Sequence, residues 1–134
     1  MNIEITLLYS IILITFMIIL AFRVIDLRQS PVTKFLHSSD RKVDENTLAR
    51  AIRGHGNLIE YAPLFLILML IAELNQASSA LLHISGIIFT LGRFMHGIVF
   101  SFMNPNMFMR VGGMFFTFTG FFILILSILF ISES

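Results

Sequence analysis

A chain of 134 residues, 57% apolar and only 13% charged, has room for one domain and too few polar groups to cover its own surface. Its mean hydropathy of +0.90 assigns part of that covering to lipid. The net charge of +1 gives no basis for nucleic-acid binding, and the absence of cysteine excludes disulfides, thiolate metal sites and a cysteine nucleophile, so any thiol chemistry must arrive with a ligand.

A lipid-crossing helix takes about 20 mostly apolar residues, and four stretches have that length. The first covers residues 5–22. Glu4 precedes it with no Lys or Arg, and it is longer than a signal-peptide core and lacks a cleavage signature, so it reads as a retained span. Residues 23–46 are the only long polar connection. Pro31, Ser38, Ser39 and mixed charge predict a loop with little order there. The second span, 47–74, is polar in its first half and apolar in its second, with Pro63 expected to kink it. A short turn at 76–79 leads to the third span, 80–102. A second turn at 103–106, marked by Asn104 and Pro105, leads to the fourth, 107–131. Gly112, Gly113 and Gly120 in the fourth predict close helix approach. Short turns force antiparallel neighbours. The expected fold is therefore all-α, an antiparallel four-helix transmembrane bundle forming a single domain over residues 1–134.

Lys and Arg concentrate in the first connection, and the positive-inside rule places residues 23–46 in the cytoplasm with both termini opposite. Arg53, Asn57 and Glu60 then lie in the cytoplasmic half of the second span. Arg93 and His96 reach similar depth from the third, Arg110 opens the fourth and Arg23 closes the first. These groups are expected in one layer about 10–15 Å thick, with an almost purely apolar opposite half. Spacings of four and three put Arg53, Asn57 and Glu60 on one helical face. Ionisable groups at that depth normally face a bundle interior or a wet cavity and mark function.

The segment Arg53-x-His55-x-Asn57-x-x-Glu60-Tyr61-x-Pro63-Leu64-Phe65 resembles the signature of the MAPEG family, the membrane-associated proteins in eicosanoid and glutathione metabolism. Gly92-Arg93-x-x-His96 resembles that family's second polar cluster, and Arg110 the arginine credited with activating the glutathione thiol. The wording of the first motif is most similar to the bacterial branch. Phe100 stands where several catalytic members carry a tyrosine, and Gly56 where some carry a basic residue. The resemblance implies a microsomal glutathione transferase-like protein, a homotrimer with sites between subunits, and glutathione as co-substrate. It implies that Arg53, Asn57, Glu60, Tyr61, Arg93 and His96 contribute to binding, with Arg23 reaching in from a neighbour and Arg110 catalytic. The second substrate would be a hydrophobic small molecule or lipid hydroperoxide from the bilayer. The membrane would be the inner or plasma membrane in a bacterium and the endoplasmic reticulum in a eukaryote.

The residue chemistry suits such a ligand. Glutathione has two carboxylates for guanidinium forks, an ammonium for Glu60 and amide groups for Asn57. Arg110, near a helix N-terminus, would favour the thiolate. Other readings stay open. The stripe can be an interhelical clamp in which Glu60 and Arg93 pair. His96 can be a packing histidine, and Arg110 an interfacial arginine. The whole can be a non-catalytic protein that presents lipids, or a small proton-coupled exporter with Glu60 as its proton site. No motif supports a metal site.

Overall fold

The computed structural model describes residues 2–36 and 41–132; Ser38 and Ser39 lie outside the described residues. Four helices follow in order: α1 (Glu4–Leu27), α2 (Glu45–Leu74), α3 (Ser79–Ser101) and α4 (Met107–Ser132). All four are long and apolar enough to cross a bilayer, as the sequence predicts.

α1 continues beyond the expected end of its apolar run. Val24 and Leu27 keep its inward face apolar, and Arg23 lies 3.6 Å from Asp26 one turn on, so the 3.6-residue pattern outlasts the lipid-soluble composition. The described part of the connection that follows holds a short 3₁₀ helix over Pro31–Leu36, where composition predicts a loop. Both α1 and α2 end in Schellman turns. Ser30 N donates to Ile25 O and Gln29 N to Asp26 O; Ala77 N donates to Ala72 O and Gln76 N to Glu73 O. The left-handed residue is a glutamine each time, Gln29 at φ 57° and Gln76 at φ 62°. Pro63 lies inside α2 without interrupting it.

α3 is the inner helix. About 61% of its spanning window is buried, against 22–28% for the other three. Phe65 of α2 stacks on Phe89 of α3 at 3.8 Å, and Phe121 of α4 meets both edge-on at 5.4 Å. Large apolar side chains such as Ile11, Phe115 and Phe122 point outward, where acyl chains replace water. Since lipid tails are as apolar as the core, close packing holds these helices together more than apolar burial does.

The expectation of one polar layer is incorrect. At the end that carries the termini, Glu73 accepts from the backbone N–H of Ile5 and of Thr6, each at 2.8 Å. The Tyr9 hydroxyl donates to His83 O at 3.1 Å and lies 3.2 Å from His83 Nδ1. α1 has no side-chain cap of its own. Its first N–H groups need acceptors where water is scarce, and an acid from α2 supplies them.

The tightest approach is between α3 and α4. A Cβ at Gly92 would lie 2.6 Å from Gly113 O and 2.7 Å from Thr117 N, both backbone atoms. A Cβ at Gly56 would meet nothing within 4 Å. Gly92→Ala gains about 1 kcal/mol of helix propensity but overpacks by about 1–3 kcal/mol against atoms that cannot rotate away. The expected result is a lowered unfolding midpoint in detergent. Gly56→Ala, with the gain alone, is expected to raise the midpoint; both are read by thermal denaturation followed by circular dichroism.

Candidate functional site

The polar residues of the basic end fall into two groups within the bundle and one outward stripe. The first surrounds Arg93, the largest fully buried side chain, at 1% exposure. Its Nε donates to Thr117 Oγ1 at 2.9 Å, and that hydroxyl donates on to Gly113 O at 2.7 Å. Its Nη2 lies 3.2 Å from Met114 Sδ. The guanidinium carbon sits 4.9 Å over the Tyr61 ring, which joins α2 to the group. All these partners are neutral. A guanidinium taken out of water without an anion is costly, so an acceptor of negative charge is favoured there.

The stripe on α2 is placed differently. The buried face of α2 carries Ala51, Gly54, Leu58, Ala62, Phe65 and Met69. Arg53 and Glu60 are exposed and Asn57 half-buried, on the face that also exposes Leu64, Ile67 and Ile71. Asn57 Nδ2 donates to Arg53 O at 3.0 Å within its own helix. Among the described residues Glu60 has no ion pair with Arg53 or Arg93, so the Glu60–Arg93 clamp does not form within one protomer. Tyr61, beside the stripe, does touch Arg93. The three helices therefore do not close a chamber around these groups in a single chain.

The second group surrounds the C-terminus of α3. Arg50 Nη2 donates to Val99 O at 2.7 Å and Nη1 to Met103 O at 2.8 Å. Arg23 Nε donates to Ser101 O at 2.9 Å, and its guanidinium sits 5.3 Å over Phe102. Phe100 lies among two guanidinium groups and an imidazole. Arg110 is 5.2 Å and Arg50 5.8 Å from its ring centroid, and the His96 ring stacks on it at 4.6 Å. Arg110 itself is exposed in the first turn of α4, where Asn106 Oδ1 caps Met109 N at 3.1 Å. His96 is buried, and its Nδ1 has no hydrogen-bond partner among the described residues. Arg50 lies at the start of the second span, outside the stripe that spacing picks out. Its structural part is not visible in the sequence because its partners are backbone carbonyls, which every residue carries.

The family model for the MAPEG family matches residues 6–130. The chain belongs to the MAPEG family. Two curated relatives, each named Inner membrane protein YecN, come from Escherichia coli strain K12 and from Escherichia coli O6:H1 strain CFT073. Each is 49% identical over 49 residues, which is 37% of this chain and 37% of the relative, so the match spans little more than a third of either. No solved structure matches the chain. Four spanning helices and MAPEG membership make this a multi-pass integral membrane protein with the four-helix bundle of that family.

Within the MAPEG bundle, Arg50 holds the end of the inner helix through two charge-assisted bonds. Each such bond contributes about 1.5–3 kcal/mol when its acceptor is otherwise dry, less where water competes. Arg50→Ala is expected to destabilise the purified protein by about 2 kcal/mol in a chemical denaturation series. Arg50→Lys is expected to recover only part of this, because an ammonium cannot span both carbonyls as a fork does.

Proposed function

We propose that this MAPEG protein binds glutathione and activates its thiol for attack on hydrophobic substrates. The observation that carries the reading is the buried Arg93, whose partners are all neutral. It lies beside Tyr61 and next to an outward-facing Arg53–Asn57–Glu60 stripe. A ligand with carboxylates would supply the missing anion. Ionisable groups on a lipid-facing surface are disfavoured. A second copy of the chain covering the stripe would therefore both complete the pocket and remove that cost, and we propose a homotrimer with sites between subunits. The name of the relatives supports placement in an inner membrane.

In this reading Arg53 and Arg93 take the glutathione carboxylates, Glu60 its ammonium and Asn57 its peptide groups. Tyr61 holds the Arg93 guanidinium in place, and His96 lies on the Phe100 side of the pocket. Arg23 would exchange Asp26 for a ligand carboxylate. Arg110 stabilises the thiolate after the thiol proton leaves to water. The thiolate sulfur then bonds to an electrophilic carbon as a leaving group departs. With a lipid hydroperoxide, two glutathiones are instead oxidised to the disulfide while the peroxide is reduced to an alcohol and water. Phe100, with no hydroxyl, favours a second reading: a binder of the same fold that presents lipids without turnover.

Glutathione near 100 times its dissociation constant is expected to stabilise the detergent-solubilised protein by about 2.7 kcal/mol. Arg53→Ala and Glu60→Gln should each abolish the thermal shift. Arg110→Ala should keep the shift and lose about tenfold or more of the conjugation rate with chlorodinitrobenzene, matching a thiol pKa lowered by about one unit or more. Absence of any shift at millimolar glutathione would sink the proposal. A shift without turnover of electrophiles or hydroperoxides would select the binder.

A further inference from the structure

The connection after α1 presents apolar side chains where a solvated loop has no use for them. In a 3₁₀ helix residues three apart eclipse, so Pro31–Leu36 carries three rows. Ser30 and Thr33 form the inward row: Thr33 is 1% exposed, and its N–H and hydroxyl both bond to Ser30 O at 3.1 Å. Val32 and Phe35 form a second row at 68% and 82% exposure, and Phe35 is the most exposed large apolar residue of the described chain. Lys34 stands on the third. The end of α1, against which the turn packs, is itself tied to Arg41. Arg41 Nη1 donates to Asp26 Oδ2 at 3.1 Å and Nη2 to Asp26 O at 2.8 Å, and Gln29 Nε2 donates to Arg41 O.

Its depth is set by α1. The 24 residues of that helix rise about 36 Å, slightly more than the roughly 30 Å hydrocarbon core, so a turn packed back against its end sits at headgroup level. A cavity of about 540 Å³ at the C-terminal end of α1, from which the turn leaves, is lined by Arg28, Arg41 and Lys42 over Leu27, Val43 and Leu48. Asp44 and Glu45, at the start of α2, share that cavity. With Arg41 committed to Asp26, the cations available to a headgroup are Arg28 and Lys42 there and Lys34 on the turn. None of these three has an ion-pair partner among the described residues.

We infer that the 3₁₀ turn is an interfacial anchor, with Val32 and Phe35 inserted among the upper acyl carbons and Arg28, Lys34 and Lys42 meeting anionic phospholipid headgroups. Apolar area and cations on one short element are the two attractions that bind interfacial segments to anionic bilayers. Here the element is already ordered by the bonds of Thr33 to Ser30 and by packing on α1, so little entropy opposes docking.

The chain has no tryptophan, so Phe35→Trp adds a single reporter of a residue type that itself prefers the interface. The full-length variant is reconstituted in phosphatidylcholine bilayers brominated near the top of the acyl chains, with and without phosphatidylglycerol. Asn104→Trp, in the exposed turn before α4, serves as the control. The expected result is that indole emission from the Phe35→Trp protein falls about twofold relative to unbrominated lipid, while that from the Asn104→Trp protein does not. Quenching in the Phe35→Trp protein should deepen with phosphatidylglycerol, and adding Lys34→Glu with Lys42→Glu should remove that dependence. Water-like emission from the Phe35→Trp protein would overturn the anchor. So would a blue-shifted but unquenched signal, which would mean a protein contact such as a second copy of the chain. Quenching indifferent to phosphatidylglycerol and to the charge reversals would overturn the headgroup assignment.

Discussion

Helix ends near lipid have few water molecules to complete their hydrogen bonding, and this constraint organises the polar chemistry of the bundle. A helix leaves its first N–H and last C=O groups without internal partners. At the inner helix α3, Arg50 and Arg23 reach from α2 and α1 to take the carbonyls of Val99, Ser101 and Met103. Those bonds place cations at the negative end of the α3 dipole, so hydrogen bonding and the helix field act in the same direction. They also fix the helix segment that presents His96 and Phe100. The same rule with reversed sign operates at the other end, where the Glu73 carboxylate receives the first N–H groups of α1. The tying charges differ in sign because the terminus each one meets differs in polarity: the C-terminus of α3 at one end and the N-terminus of α1 at the other.

Packing then decides which side of each helix is available for a ligand. α3 and α4 touch through Gly92 and Gly113 with almost no space between backbones. That contact lets Arg93 reach Thr117 and Met114 on α4 instead of an acid. α2 turns its small residues, Ala51, Gly54 and Ala62, toward the bundle, and its Arg53 and Glu60 outward. Burying the small face brings helix backbones close, the main source of cohesion where apolar burial counts for little. The outward polar stripe follows from that choice.

The four spans were legible because apolar runs of this length have few other interpretations. The Arg53, Asn57 and Glu60 stripe was legible as a stripe, since spacing alone sets it. Spacing does not give its direction, for which Ala51, Gly54 and Ala62 were the available signal. Tertiary partners were mostly invisible: Arg50 and Arg23 bond to backbone carbonyls, which leave no sequence trace. Gln29 and Gln76 adopt left-handed turns that glycine would have announced. The 3₁₀ turn was hidden because Thr33 is polar by composition yet buried by its bonds to Ser30. Glu73 was visible in the last turn of a span, and the assumption of an apolar far half passed over it.

Phe100 links the architecture to the chemistry proposed for this MAPEG chain. A phenol at that position could donate a proton to a sulfur or a peroxide oxygen; a phenyl ring cannot. The ring instead offers its π faces to Arg50, Arg110 and His96. Cation–π contact holds a guanidinium without neutralising it, unlike a carboxylate partner. Among the described residues no carboxylate pairs with Arg110 at the first turn of α4, where the N-terminal dipole adds positive potential. Arg50, bonded to two carbonyls, faces the same ring. A thiol brought to this ring in the proposed reaction would meet two guanidinium groups and, at position 100, no hydroxyl. In the proposed reaction, a phenyl ring in place of a phenol would withhold a proton donor and keep the cations that favour a thiolate.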